Sequence, residues 1–193
     1  MYDAVCLASG GLDSTLCLHM VRERGLRALP LYVNYGQRNH EREWGSLSAA
    51  CAANKFPKPV KFRFPAFGAV IKSGLTDPKL RVNEDAFTPN RNLLFLVLAG
   101  SLASSKGIGN IVIGLLAERT TIFPDQSDRF LRATEHVLAE SLGTQMRIHC
   151  PLRDLTKRDV VKLAHIRGIS HFYSCHSGTK KPCGKCIACL EYK

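Results

Sequence analysis

The stretch DAVCLASGGLDST, Asp3 to Thr15, decides how the rest of the chain is read. Asp3 to Ser9 is an apolar run without helical period, and Gly10-Gly11 ends it, so the segment reads as a buried strand feeding a tight turn. From Asp13 the period becomes helical, with Leu16, Met20 and Val21 on one stripe and Gly25 as the stop. Between the two elements, a pair of glycines lets the backbone approach an anion closely. Ser9, Ser14 and Thr15 offer hydroxyls there, and the helix N-terminus points its free N–H groups at the same spot. Such a loop cradles phosphate. Asp13 would repel phosphate unless a divalent cation lay between them, which assigns it to Mg²⁺ held against a pyrophosphate. The alternative is a plain Gly-Gly turn with Asp or Ser as helix cap. Neither GxxxxGK[ST] nor GxGxxG occurs, so this is not a Walker A or a dinucleotide loop.

Outward from this loop, strand and helix patterns alternate. Ala28 to Tyr35 is a second apolar run, His40 to Asn54 a helix with Trp44, Leu47 and Cys51 on one face, and Lys58 to Phe64 a shorter strand. Pro65 to Phe87 carries scattered Gly and Pro and reads as irregular. Arg91 to Ser105 is the most apolar helix, Asn110 to Leu115 a fourth strand, Asp125 to Leu142 an amphipathic helix and Arg147 to Cys150 a fifth strand. Thr156 caps a last helix to Ile166, which Gly168 ends. This order predicts an α/β fold with a parallel sheet covered on both faces.

The 193 residues suit one domain. The expected division is 1–170 for the nucleotide-binding body and 171–193 for a C-terminal segment of the same domain, too polar and cysteine-rich to be core. A composition that is 45% hydrophobic excludes a disordered chain, and a net charge of +11 favours polyanionic partners without choosing among them. No run is long and apolar enough to span a membrane, and an acidic residue near the N-terminus does not suit a signal peptide, so a cytoplasmic protein is expected. Cys6, Cys17, Cys51 and Cys150 are scattered in apolar surroundings and read as core thiols.

The other four cysteines, Cys175, Cys183, Cys186 and Cys189, crowd the tail in SCHSGTKKPCGKCIACL. Four thiolates suit a closed, structural Zn²⁺ site with no open position for water, an iron–sulfur cluster being the runner-up.

The SGGxDS form resembles the pyrophosphate loop of the N-type ATP pyrophosphatases, which cleave ATP between the α and β phosphates and leave AMP on an acceptor oxygen. Both ends together resemble the 7-cyano-7-deazaguanine synthase family of the queuosine pathway. The likeness is carried by SGGLDST at Ser9 to Thr15, YVNYGQRNHERE at Tyr32 to Glu43 and FTPNRNLLFL at Phe87 to Leu96. Pro151-Leu152 with Lys157 and the four tail cysteines extend it. This resemblance implies a doubly wound, Rossmann-type sheet of the adenine nucleotide alpha hydrolase-like kind with a C-terminal zinc-binding tail. It implies an ATP-dependent, AMP-releasing ligase that turns a heterocyclic carboxylate, 7-carboxy-7-deazaguanine, into amide and then nitrile with ammonia.

Carried over residue by residue, it implies ATP contacts at Ala8, Ser9, Gly10, Gly11, Leu12, Asp13, Ser14, Thr15, Tyr35, Gly36 and Gln37. Asp13, Arg38 and Arg91 are the catalytic candidates, the two arginines as clamps for the departing pyrophosphate. Asn92, Glu118, Phe123 and Asp125 are the candidates for reading the acceptor. A homodimer is expected. The chain departs from the family pattern at Ala117 and Arg119, where acidic residues are expected, at Gln126 and Ser127, and in a Cys175 to Cys183 spacing one residue short. Two alternatives follow: a divergent ligase that uses another amine, such as one on a protein, and a tRNA-binding or tRNA-modifying protein, supported only by the basic charge and tail.

Overall fold

A computed structural model describes residues 1–117, 119 and 123–192. Five strands form one parallel sheet, β1 Ala4–Leu7, β2 Ala28–Asn34, β3 Val60–Arg63, β4 Asn110–Val112 and β5 Arg147–His149, in the order β3-β2-β1-β4-β5. The helices are α1 Leu12–Glu23, α2 His40–Ala53, α3 Pro65–Val70, α4 Arg91–Ser104, α5 Asp128–Leu142, α6 Lys157–Ile166 and α7 Ile187–Leu190.

The period of two along each strand sorts residues between two cores. Ala4, Cys6, Ala8 and Tyr32 pack with α1, α2 and α6 through Leu16, Leu47 and Val160. Val5, Leu7, Leu31 and Val33 pack with α4 and α5 through Leu96, Ala99 and Leu138. The sheet is thus doubly wound. Pro30 sits inside β2 although proline cannot donate to a ladder. Leu31 O accepts from Ala8 N, so Pro30 faces the other edge, where β3 begins only opposite Leu31.

Cys6, Cys17 and Cys51 are buried core thiols and Cys150 is half-buried against the second core. Burial pushes the Cys6 thiol up to about 12 and Cys51 and Cys150 up to about 11, so they stay protonated.

Four elements differ from the sequence expectation. The stretch read as irregular contains α3, started by Pro65 in its first turn. β4 ends at Val112, three residues early; Ile113 N still donates to His149 O at 3.0 Å, and Ile113 to Leu115 continue as the wall of a cavity. The helix expected from Asp125 begins at Asp128, because Ser127 is its cap and accepts from Phe130 N at 3.2 Å, while Pro124–Gln126 forms a separate 3-10 turn. The tail is not coreless either: Cys175, Cys186 and Ala188 are buried as a small cluster with Val82 and Tyr173 against them. Burying sulfur satisfies the tail as apolar surface would. No helix among the described residues is long and apolar enough to cross a membrane.

Candidate active site and metal centre

The chain reverses its winding between β1 and β4, and the crevice outside their C-terminal ends is where ligands bind in open α/β sheets. The Ser9-Gly10-Gly11 turn lies there. Gly10 has φ +79°, and a Cβ on it would stand 2.5 Å from Glu43 O and 2.7 Å from Leu47 N, so no other residue fits. Ser14 Oγ accepts from Ser9 N at 3.2 Å and donates to Gly11 O at 3.2 Å, which closes the loop onto the first turn of α1. Gly11 caps α1 without a side-chain bond, leaving the helix N-terminal N–H groups for an anion.

Two adjoining cavities open on this loop, of about 250 and 240 Å³. Ser9, Asp13, Ser14, Glu43, Arg91 and His176 are walls of both. One extends over Ala8, Tyr35 and Gln37, the other over Phe123, Lys157 and the tail residues Tyr173, Ser174 and Glu191.

Asp13 is held by Lys157, whose Nζ lies 2.8 Å from both carboxylate oxygens and 3.0 Å from Glu191. Burial works against the charge on Lys157, but Asp13 and Glu191 outweigh it and raise its pKa. Burial raises the Tyr35 hydroxyl pKa, while the charge of the neighbouring Arg91 opposes the rise. His176 has a buried Nδ1 with no partner among the described residues; desolvation first, then Arg91 and Lys157, pull it down to about 4, so its ring is neutral. Glu43 is pushed up to about 7 by burial, against bonds from Gln37, Tyr32 and Asn39 that favour its charged form.

Not every residue expected at the site reaches it. Thr15 is fully buried under the loop, and its Oγ1 has no partner among the described residues. Gly36, with φ +92°, packs against Pro65 O rather than lining a cavity. Arg38 is turned to the 74–75 loop, its Nη1 donating to Gly74 O at 3.2 Å and its N to Leu75 O at 2.8 Å. Asn92 lines the cavity over Tyr35, and its Nδ2 donates to Asp125 O at 3.1 Å. Asp125 Oδ2 accepts from Asn92 N at 3.4 Å, so it caps the start of α4 and is not a cavity wall. Phe123 is a wall, with its ring 5.2 Å from Phe87. Glu118 lies outside the described residues. Glu43, Lys157, His176 and Glu191 were not singled out as site residues. Glu43 did stand inside the YGQRNHERE motif and Lys157 behind Pro151-Leu152, but nothing local distinguishes either from a solvated helix end.

In the tail, the Sγ atoms of Cys175, Cys183, Cys186 and Cys189 lie within 4.8 Å of one another. Backbone N–H groups of Lys185 and Cys186 both reach Cys183 Sγ at 3.4 Å, and that of Cys183 reaches Cys175 Sγ at 3.4 Å. Burial raises the Cys183 thiol, but these N–H groups and Ser177 hold it at about 6, so it is a ready thiolate. Four sulfurs at this spacing fit one tetrahedral ion. The tail is stapled to the nucleotide loop: Tyr173 N donates to Gly10 O at 2.9 Å and Asn39 Nδ2 to Cys175 O at 3.2 Å.

A parallel doubly wound sheet with this loop in its crevice defines an enzyme of the ATP pyrophosphatase type. The chain belongs to the family described as queuosine biosynthesis protein QueC, whose model matches residues 3–193. It is 31% identical over 199 residues to the 7-cyano-7-deazaguanine synthase of Methanosphaerula palustris, covering 96% of this chain and 90% of that protein. It is 28% identical over 201 residues to the 7-cyano-7-deazaguanine synthase of Campylobacter jejuni, covering 97% of this chain and 90% of that protein. Among solved structures, NMN synthetase from Francisella tularensis matches with a TM-score of 0.58 at 16% identity, over 96% of this chain and 70% of that one. A predicted subunit of tRNA methyltransferase from Methanocaldococcus jannaschii matches with a TM-score of 0.57 at 17% identity, over 86% of this chain and 75% of that one. At such identities the two structures speak for the fold alone.

Proposed function

We propose that this chain is a 7-cyano-7-deazaguanine synthase, an ATP-dependent ligase that adenylates 7-carboxy-7-deazaguanine, couples it to ammonia as an amide and dehydrates the amide to the nitrile with a second ATP. The observation that carries this reading is the convergence of the Ser9–Ser14 loop, Arg91 and Lys157 on one cavity at the switch point, in a chain whose full-length relatives are synthases. A carboxylate is a poor electrophile, so the reaction must first make it an acyl-adenylate.

In this reading the loop N–H groups hold the phosphates, and Arg91 and Lys157 take up charge as pyrophosphate leaves. Asp13 lies in the cavity wall with its carboxylate at the loop, a donor suited to Mg²⁺, which when bound neutralises the leaving pyrophosphate. Tyr35 and Gln37 face the nucleotide, and Phe123 and Asn92 the acceptor. Arg38 acts at a distance, by fixing the 74–75 loop, whose Leu75 is a wall. The four cysteines hold a structural Zn²⁺, and residues 171–193 belong to the same domain as 1–170. A cytoplasmic homodimer completes the reading.

The test is incubation with ATP, Mg²⁺ and 7-carboxy-7-deazaguanine, with and without ammonium, following AMP, pyrophosphate and product mass. Amide and nitrile masses that need all components support it. ATP left intact by the deazaguanine acid refutes it.

A further inference from the structure

Three carboxylates among the described residues line the two cavities: Asp13, Glu43 and Glu191. Asp13 and Glu191 share Lys157. Glu43 forms no ion pair with any described Lys, Arg or His, and is held by neutral donors only. Asn39 Nδ2 donates to Oε1 at 3.0 Å, while Gln37 Nε2 at 2.8 Å and the Tyr32 hydroxyl at 3.1 Å both face Oε2. A carboxylate has about four acceptor positions. Oε2 is therefore occupied on both sides, and Oε1 keeps one position open.

That count discriminates between ligands. A purine edge that pairs through two N–H groups needs a free position on each oxygen, which Glu43 does not have. One N–H of a small cation fits. Neutral donors orient the carboxylate and leave its charge met only in part, at a distance, by Arg91 on the same cavity walls, and a half-buried carboxylate so placed favours a cationic ligand.

We infer that Glu43 is the amine subsite: Oε1 binds an ammonium ion beside the nucleotide loop and takes its proton, which frees the nitrogen lone pair for attack on the adenylated carboxyl carbon. The inference rests on the reaction proposed above. Ammonium gives one proton to Glu43, the carbon–nitrogen bond forms, and the carbon–oxygen bond to AMP breaks with its electron pair leaving on the phosphate oxygen. The new nitrogen then loses a second proton to water, giving amide, AMP and two protons. The charge state agrees, since burial brings Glu43 up to about 7, where a carboxylate can both accept and return a proton near neutrality. The titratable and charged groups around it are Tyr32 from β2, Tyr35 just past its end, Arg91 from α4, Asp13 from α1 and His176 from the tail.

The test compares ammonium with hydroxylamine, an amine largely unprotonated at neutral pH that needs no base. Adenylation is followed separately, as exchange of labelled pyrophosphate into ATP driven by 7-carboxy-7-deazaguanine without any amine. Glu43→Gln is expected to lower kcat/KM for ammonium about 100-fold, with a far smaller loss for hydroxylamine. Equal losses with the two amines, or loss of exchange in the variant, overturn the amine subsite while leaving the synthase reading in place. Absence of exchange in the unaltered protein overturns the synthase reading itself, and this inference with it. A measurement without any variant checks the same point. With Glu43 as base, kcat/KM for total ammonium levels off above pH 7. A rise of about tenfold per pH unit continuing to pH 8.5 would mean that free ammonia alone is used, and would overturn the subsite.

Discussion

At the scale of single residues, Asp13 does not stand alone at the loop but is paired with Lys157. Asp13→Asn keeps the shape but removes the charge, and is expected to abolish ATP–pyrophosphate exchange while the melting temperature moves by only a few degrees; full pyrophosphate release by the variant would exclude the Mg²⁺ role. Gly10 is the opposite kind of residue, needed for its backbone. Gly10→Ala combines φ +79° with a Cβ 2.5 Å from Glu43 O, and is expected to cost about 3 kcal/mol in urea unfolding and to lose ATP binding. Glu43 also links stability to pH. Its folded pKa is raised above 4.5 to about 7, so the folded state binds the proton more tightly and the stabilisation it contributes at low pH is lost as pH rises through that window. Between pH 8 and 6 the melting temperature of the unaltered protein should therefore climb more than that of Glu43→Gln, and parallel curves would contradict the raised pKa.

At the scale of elements, the starts of α4 and α6 deliver the two cations of the site. Arg91 and Lys157 are each the first residue of their helix. Thr156 and Asp159 cap α6 reciprocally, Asp159 N donating to Thr156 Oγ1 at 3.3 Å and Thr156 N to Asp159 Oδ2 at 2.9 Å. Thr156→Ala is expected to cost about 1 kcal/mol and to raise KM for ATP, because fraying there moves Lys157; urea midpoints together with exchange kinetics check both. The family resemblance made Asp125 a candidate for reading the acceptor, and its side chain serves the start of α4. Since the stronger bond, from Asn92 Nδ2, goes to its backbone carbonyl, Asp125→Ala should change KM for the deazaguanine acid less than about tenfold.

At the scale of the whole molecule, the tail is part of the cavity as well as a cluster of four thiols able to hold a metal ion. Tyr173, Ser174, His176, Ile187, Ala188 and Glu191 form one wall of it, and Tyr173 bonds the nucleotide loop directly. A metal site that only stabilised the chain would leave ATP handling alone when disrupted. Cys186→Ser, or removal of the metal by chelation, is instead expected to raise KM for ATP along with the loss of stability. Titration calorimetry with a non-hydrolysable ATP analogue, at a temperature where the variant remains folded, measures the first effect separately.

Alternating apolar runs and turn residues determined the five strands, their order along the chain and the five longer helices, though not the short α3 and α7, because period and turn chemistry are local. The pyrophosphate loop and the four cysteines were legible for the same reason: each is a compact motif whose chemistry is contained in its own spacing. The tertiary structure alone decided which charges meet. Lys157 reaches Asp13 across 144 residues of chain, and the tail carbonyl of Cys175 reaches Asn39 across 136. Arg38 and Thr15 left the cavity because a side chain's direction depends on what packs around its strand end or helix turn. Glu43 became a site residue because folding placed neutral donors on three sides of it and a cavity on the fourth, a balance of solvation and charge that no stretch of sequence carries by itself.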